Sequence, residues 1–276
     1  MSQHNPTVLV HGIASSKNEM LDLENYLMSQ DIPTYNIEIG NGELTSIFTP
    51  MNEQCAALAE QIKKIGQKEN TEKREKTEKR EKREKREIDI IAISQGGLLA
   101  RCYVEKYTHL SEYPKVNTLL TMGTPHMGIY IPNSPDFYKR IIEDYWKDPF
   151  DYENYLKDND FLAPLNNEKP HDNSIQYKNN ILTLQSFISV WSNIDDVIVP
   201  IQSATFEFYN ATKALKMREL EIVPLKESEF FEDDKIGLKT LYDEKRFQNY
   251  NYDCEHNRFK TKECFIPILE RVFLYL

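Results

Sequence analysis

The stretch IDIIAISQGGLLARCYVEKY, running from Ile88 to Tyr107, decides how the rest of the chain is read. Isoleucines at positions 88, 90, 91 and 93 suit a strand buried on both faces of a parallel sheet, and the run stops abruptly at Ser94-Gln95-Gly96-Gly97. Beyond it Leu98, Leu99, Cys102 and Tyr103 recur at helical spacing. A strand, a glycine-containing turn centred on serine and then a helix are the context of a nucleophile elbow, whose sharp turn lifts a serine Oγ above the sheet. The pattern G-x-S-x-G reads here as Ala92-Ile93-Ser94-Gln95-Gly96, with alanine in place of the first glycine and still small enough for the helix to pack near the strand. The plainer reading of an isolated S-x-G is a helix N-cap after a buried strand. The remainder of the chain has to separate the two.

A chain of 276 residues, 40% hydrophobic, can bury a large core and falls within the range of a single α/β domain, taken as 1–276. The net charge of −10 argues against nucleic acid as a partner. No apolar run approaches the roughly 20 residues of a membrane span, and no transmembrane segment is expected. The first strand, Thr7 to Val10, begins almost at Met1, so the protein is read as cytosolic or as lacking its leader. Cys55, Cys102, Cys254 and Cys264 show no metal-ligand spacing, and neither metal nor cofactor is expected. Cys55 and Cys102 lie on apolar helical patterns as small buried hydrophobes, whereas Cys254 and Cys264 flank His256 and can be bridged in an oxidising lumen.

In chain order, the strand Thr7–Val10 runs into His11-Gly12-Ile13, where glycine lets main chain approach a reacting carbonyl. By position the N–H groups of Ile13 and Gln95 form the oxyanion hole. Helical patterns at Glu19–Met28 and Asn52–Ile65 flank a strand at Thr34–Ile39, and the charged repeat of 67–87 reads as a surface insertion entering at the sheet end opposite the serine. After the strand Val116–Met122 comes Gly123-Thr124-Pro125-His126, with His126 expected at the pocket rim. Residues 129–180 lose the strand signal and read as a helical cap or acyl-binding wall. A strand at Phe187–Trp191 leads to Asp195 and Asp196, either of which suits a triad acid, and a tyrosine-rich strand leads to His256 before a closing helix at Phe265–Leu276. The order serine, aspartate, histidine is that of the α/β-hydrolase fold: a mainly parallel sheet, helices on both faces and a helical cap insertion. His11 precedes the serine and is not placed as the base.

With these elements in place the chain resembles the palmitoyl-protein thioesterases over most of its length. The resemblance rests on His11-Gly12, Glu38-Ile39-Gly40, Ser94-Gln95-Gly96-Gly97, Tyr145-Trp146-Lys147-Asp148-Pro149, Phe161-Leu162-Ala163 with Leu165-Asn166-Asn167-Glu168, Asp195 to Pro200 with Phe206-Glu207-Phe208-Tyr209, Gly237-Leu238-Lys239-Thr240, and His256. Pro200-Ile201-Gln202-Ser203 and Gly237 to Thr240 lie closer to the second, less bulky-acyl branch of lysosomal thioesterases. The resemblance implies hydrolysis of fatty-acyl thioesters, such as palmitoylated protein or acyl-coenzyme A, in a lysosomal lumen. A lipase or carboxylesterase acting on lipid oxyesters would use the same residues, and a non-enzymatic lipid- or partner-binding protein is the more distant alternative. The family's acid lies five residues before a proline. Here Pro200 stands five after Asp195, which assigns Asp195 and leaves Asp196 exposed and facing away.

Overall fold

In the computed structural model, residues 4–76, 87–210 and 220–274 are described, the side chains of 69–76 excepted. Six strands form one parallel sheet: β1 (Thr7–Val10), β2 (Thr34–Ile37), β3 (Glu87–Ile93), β4 (Lys115–Met122), β5 (Ser186–Trp191) and β8 (Phe247–Asn251), in the order β2-β1-β3-β4-β5-β8. A separate two-stranded ribbon pairs β6 (Phe208–Tyr209) with β7 (Ile222–Val223). Parallel strands need crossovers, and these carry the helices that cover both faces. Strand β3 lies inside the sheet with every residue after Glu87 buried, as its isoleucine-rich sequence requires.

Side-chain alternation along the strands divides the core in two. On one face Leu9, Ile91, Ile93, Leu120, Ile188 and Val190 pack against α1 (Leu21–Ser29) and α11 (Lys262–Val272). On the other, Val8, Val10, Ile90, Ala92 and Phe187 pack under α3 (Met51–Lys76) and α4 (Gln95–Tyr107). The β3–β4 register shifts between Ile88 and Ile90, which pair with Val116 and Leu119. The extra residue on β4 is met by Asp89, whose Oδ1 accepts from Thr118 N–H at 2.9 Å and from Asn117 Nδ2 at 3.3 Å. A carboxylate thus occupies an otherwise apolar strand because a bulge needs an acceptor there.

Residues 129–180 contribute no strand to the sheet. They carry α5 (Asp136–Ile141), α6 (Tyr152–Asp158), α7 (Leu162–Leu165) and most of α8 (Ser174–Ile181). The layer is pinned by a buried Lys147–Glu168 pair at 2.5 Å, with Tyr155 donating to the same carboxylate at 2.8 Å. Asn180 of α8 donates to the Glu105 carbonyl of α4 at 2.7 Å, so α4 lies between sheet and insertion and is buried from Gln95 through Glu105. Short helices α2 (Glu43–Phe48), α9 (Glu229–Glu232) and α10 (Leu238–Asp243) complete the fold.

Two expectations need adjusting. The helix read as Asn52–Ile65 continues as α3 to Lys76, into the charged run; residues 77–86 of that run lie outside the described residues, and β3 resumes at Glu87, the end of the strand remote from Ser94. Alternating lysine and glutamate can sustain a solvated helix with no apolar face. Cys55 and Cys102, read as separate buried hydrophobes, are bonded to each other with Cα atoms 6.3 Å apart, joining α3 to α4. Helical periodicity assigns each cysteine a face but cannot say which helices lie side by side. Cys254 and Cys264 are bridged as well. No helix among the described residues is long and apolar enough to cross a membrane.

Candidate active site

At the carboxyl end of β3 the chain turns sharply through Ser94, with φ 56 and ψ −129, directly into α4. That backbone region is costly for a residue with a Cβ and survives only where its surroundings hold it. Ser94 N–H donates to the Met122 carbonyl at 2.8 Å, which anchors the turn on β4. Both glycines after Gln95 are explained by close approach: a Cβ at Gly96 would overlap the His11 carbonyl, and one at Gly97 would overlap the Thr124 hydroxyl.

Ser94, His256 and Asp195 come together from loops after three different strands. His256 Nε2 lies 2.9 Å from Ser94 Oγ, and Nδ1 lies 2.8 Å from Asp195 Oδ2. These distances suit the tautomer in which Nδ1–H donates to the carboxylate and Nε2 accepts from serine. Asp195 Oδ1 accepts from the N–H groups of Val197 and Ile198, each at 2.9 Å, so both carboxylate oxygens are engaged. Ser192 ties the acid turn to the histidine loop, its Oγ accepting from Ile194 N–H at 3.1 Å and Cys254 N–H at 3.2 Å. Ser94 and His256 are 7% and 6% exposed, so the hydrogen-bonded pair is almost wholly shielded from solvent.

Gly12 packs on Ser94, since a Cβ there would lie 3.0 Å from Ser94 Cβ and 3.6 Å from Oγ. The loop bearing Ile13 therefore flanks the serine on the side away from β4, and Gln95 follows it in the turn. The Gln95 side chain is buried, donates to the Ser46 carbonyl at 2.9 Å and accepts from Tyr145 OH at 3.0 Å. Such a polar network around the residue after the serine was not legible in the sequence, because its members are 49 and 50 positions away.

His11 and His126 are engaged elsewhere. His11 Nε2 lies 3.1 Å from Glu38 Oε1, toward β2. His126 is not at a pocket rim: it is fully buried, stacked on Phe206 at 4.3 Å, with Nε2 3.0 Å from Thr121 Oγ1. Burial first, and the nearby Arg101 charge second, hold its imidazole well below the ordinary value and neutral. The loop carrying it folds under the sheet end rather than outward, since Arg101 Nη1 and Asn166 Nδ2 bind the His126 carbonyl at 3.4 and 3.2 Å. Asp196 is exposed, as expected, but does not simply face away, because its Oδ1 accepts from His256 N–H at 3.4 Å. An open groove of about 740 Å³ follows edge strand β2 past Asn36, Glu38, Gln61 and Lys64, and none of Ser94, Asp195 and His256 lines it.

A six-stranded parallel sheet with this serine, histidine and aspartate on its carboxyl edge defines an α/β-hydrolase. A lipase from Bacillus licheniformis has a similar fold, with a TM-score of 0.53 over 98% of this chain and 92% of that one, at 15% sequence identity. Sequence comparison goes further: residues 6–256 match the palmitoyl protein thioesterase model, and the chain belongs to that family. It is 30% identical to palmitoyl-protein thioesterase 3 of Dictyostelium discoideum, with 93% of this chain and 86% of that protein covered. It is 28% identical to lysosomal thioesterase PPT2-B of Xenopus laevis, over 86% and 81%. The family makes this chain a thioester hydrolase, as its motifs implied.

Proposed function

We propose that this enzyme hydrolyses fatty-acyl thioesters, on S-acylated proteins or acyl-coenzyme A, with Ser94 as nucleophile, His256 as general base and Asp195 as the acid that orients it. The observation carrying this reading is the unbroken hydrogen-bonded line from Asp195 through His256 to Ser94 Oγ. His256 Nε2 takes the hydroxyl proton as Oγ forms its bond to the thioester carbonyl carbon, and Asp195 stabilises the resulting imidazolium. The tetrahedral oxyanion is held by the N–H groups of Ile13 and Gln95, the first brought alongside by Gly12. Collapse breaks the carbon–sulfur bond. The thiolate leaves with little need of a proton, so no unusually strong acid is required. The imidazolium gives the serine proton to the departing sulfur, which returns His256 to its neutral form. Water then attacks the Ser94 ester, giving a proton to His256 Nε2, which passes it to Ser94 Oγ as the fatty acid leaves.

Residues 129–180 are read as the cap that covers the site and forms the acyl wall, supported by their place over α4 and by the Tyr145–Gln95 bond. A lysosomal or other secretory setting is supported by the two disulfides, which persist in oxidising compartments, and by the sequon Asn210-Ala211-Thr212, of which only Asn210 is described. Replacing Ser94 or His256 by alanine is expected to lower kcat on palmitoyl-coenzyme A by about 10⁶ with the fold retained, since the two act as one unit. Fluorophosphonate labelling should vanish in Ser94→Ala. Substantial turnover by that variant would overturn the assignment, and faster hydrolysis of a matched palmitoyl oxyester would turn the reading toward a lipase.

A further inference from the structure

The Ser94 carbonyl is held by two donors. One is Gly97 N–H at 3.0 Å, the bond expected where a helix begins. The other is Thr124 Oγ1 at 2.9 Å, from the loop after β4, on a residue only 1% exposed. Glycine at 97 is what makes this second bond possible, because a Cβ there would occupy the space of the hydroxyl. The same loop also seats the base: a Cβ on Gly123 would come within 3.2 Å of His256 Nδ1 and 2.9 Å of the Phe259 ring. Its far end is clamped from α4 through Arg101 and the His126 carbonyl, with the Glu105 carboxyl 3.1 Å from Arg101 Nε on the same helix.

The direction of the Thr124 bond matters because a trans peptide is planar, with C=O and N–H pointing opposite ways. Fixing the Ser94 carbonyl toward Thr124 turns the Gln95 N–H to the other side of the elbow. We propose that Thr124 is a positioning residue whose hydroxyl, by holding the Ser94 carbonyl, aims the Gln95 N–H at the oxygen of the tetrahedral intermediate. The proposal rests on the Ser94, His256 and Asp195 reading. Packing alone would be served equally by valine, which matches threonine in shape but offers no donor.

The test compares Thr124→Val with Thr124→Ser in the full chain. With palmitoyl-coenzyme A as substrate, Thr124→Val is expected to lower kcat about tenfold with KM within about twofold, a smaller loss than removal of an oxyanion donor outright. Thr124→Ser, which keeps the donor and loses the methyl, recovers most of that loss. A palmityl trifluoromethyl ketone, which adds to serine as a tetrahedral oxyanion, should bind Thr124→Val about tenfold more weakly, while a palmityl thioether should bind it as before. A folded Thr124→Val with kcat within about twofold of wild type, a serine variant as slow as the valine one, or equal weakening of both inhibitors would each overturn the proposal. If valine prevents folding, Thr124→Ala removes the hydroxyl without inserting a methyl and is read by the same criteria. Fluorophosphonate labelling of wild-type Ser94 separates the two levels. No labelling brings down the triad reading and this proposal with it, whereas labelling with normal Thr124→Val kinetics brings down this proposal alone.

Discussion

Asp195 and Asp196 are adjacent in sequence, yet one carboxylate meets the imidazole Nδ1 and the other only the backbone N–H of the same histidine. Asp195→Asn should lower kcat on the order of 10⁴, because an amide at that position favours the wrong tautomer. Asp196→Asn keeps a carbonyl oxygen toward His256 N–H and should stay within about threefold of wild type. Steady-state kinetics showing the reverse pattern would move the acid to Asp196. His126 presents a different case: its ring fills space between Phe187 and Phe206, so His126→Ala should cost about 2–4 kcal/mol of unfolding free energy. Its labelled fraction of Ser94, measured on the folded population, should match wild type. Loss of labelling in a fully folded variant would give His126 a part in the chemistry.

At the scale of elements, the two disulfides do different things. Cys55–Cys102 joins neighbouring helices across 47 positions, while Cys254–Cys264 closes a short loop of sequence separation 10 around His256. The loop-entropy model gives about 4 kcal/mol for the first and about 3 kcal/mol for the second. Replacing both cysteines of the first pair by serine should therefore lower Tm more. Replacing the second pair should cost more in kcat, since His256 rides on that loop; equal effects on kcat from both pairs would contradict this. The charged run of 67–87 should be dispensable, because it enters β3 at the end remote from Ser94. Replacing residues 69–86 by a short Gly/Ser loop should change the thioesterase rate by less than about twofold, and a large loss in a well-folded variant would give the run a docking role.

Over the whole molecule, buried ionisable groups set the dependence of stability on pH. Burial pushes the Glu105 carboxyl up to about 8 even beside Arg101, and raises Asp89 and Asp144 too. A raised carboxyl binds its proton more tightly in the folded state, so the stability it lends is full below its unfolded value and is lost as pH rises toward about 8. His126 works the other way: its depressed value makes the folded state resist protonation, and stability falls as pH drops below the ordinary imidazole range. Unfolding free energy should accordingly rise by about 1–2 kcal/mol between pH about 8 and about 6.5, then flatten where one proton on Glu105 and one on His126 oppose each other. Denaturant melts across that range check it. Glu105→Gln should remove most of the upper slope, and an unchanged slope would place the titration elsewhere.

What the sequence by itself determined is local or ordered along the chain. The isoleucine run, the serine turn and the apolar helix face specify the elbow through periodicity and turn chemistry, and the succession of strands places Asp195 and His256 on loops at one sheet edge. Interactions across the chain were decided only by the tertiary structure. Which helix lies beside α3 made Cys55 and Cys102 a pair, and inward folding of the loop after β4 took His126 into the core. The two glycines of Ser94-Gln95-Gly96-Gly97 could be read as small, but their purposes could not. One admits the His11 carbonyl and the other the Thr124 hydroxyl, groups 83 and 30 residues from Ser94 in sequence that meet the elbow only once the sheet has formed.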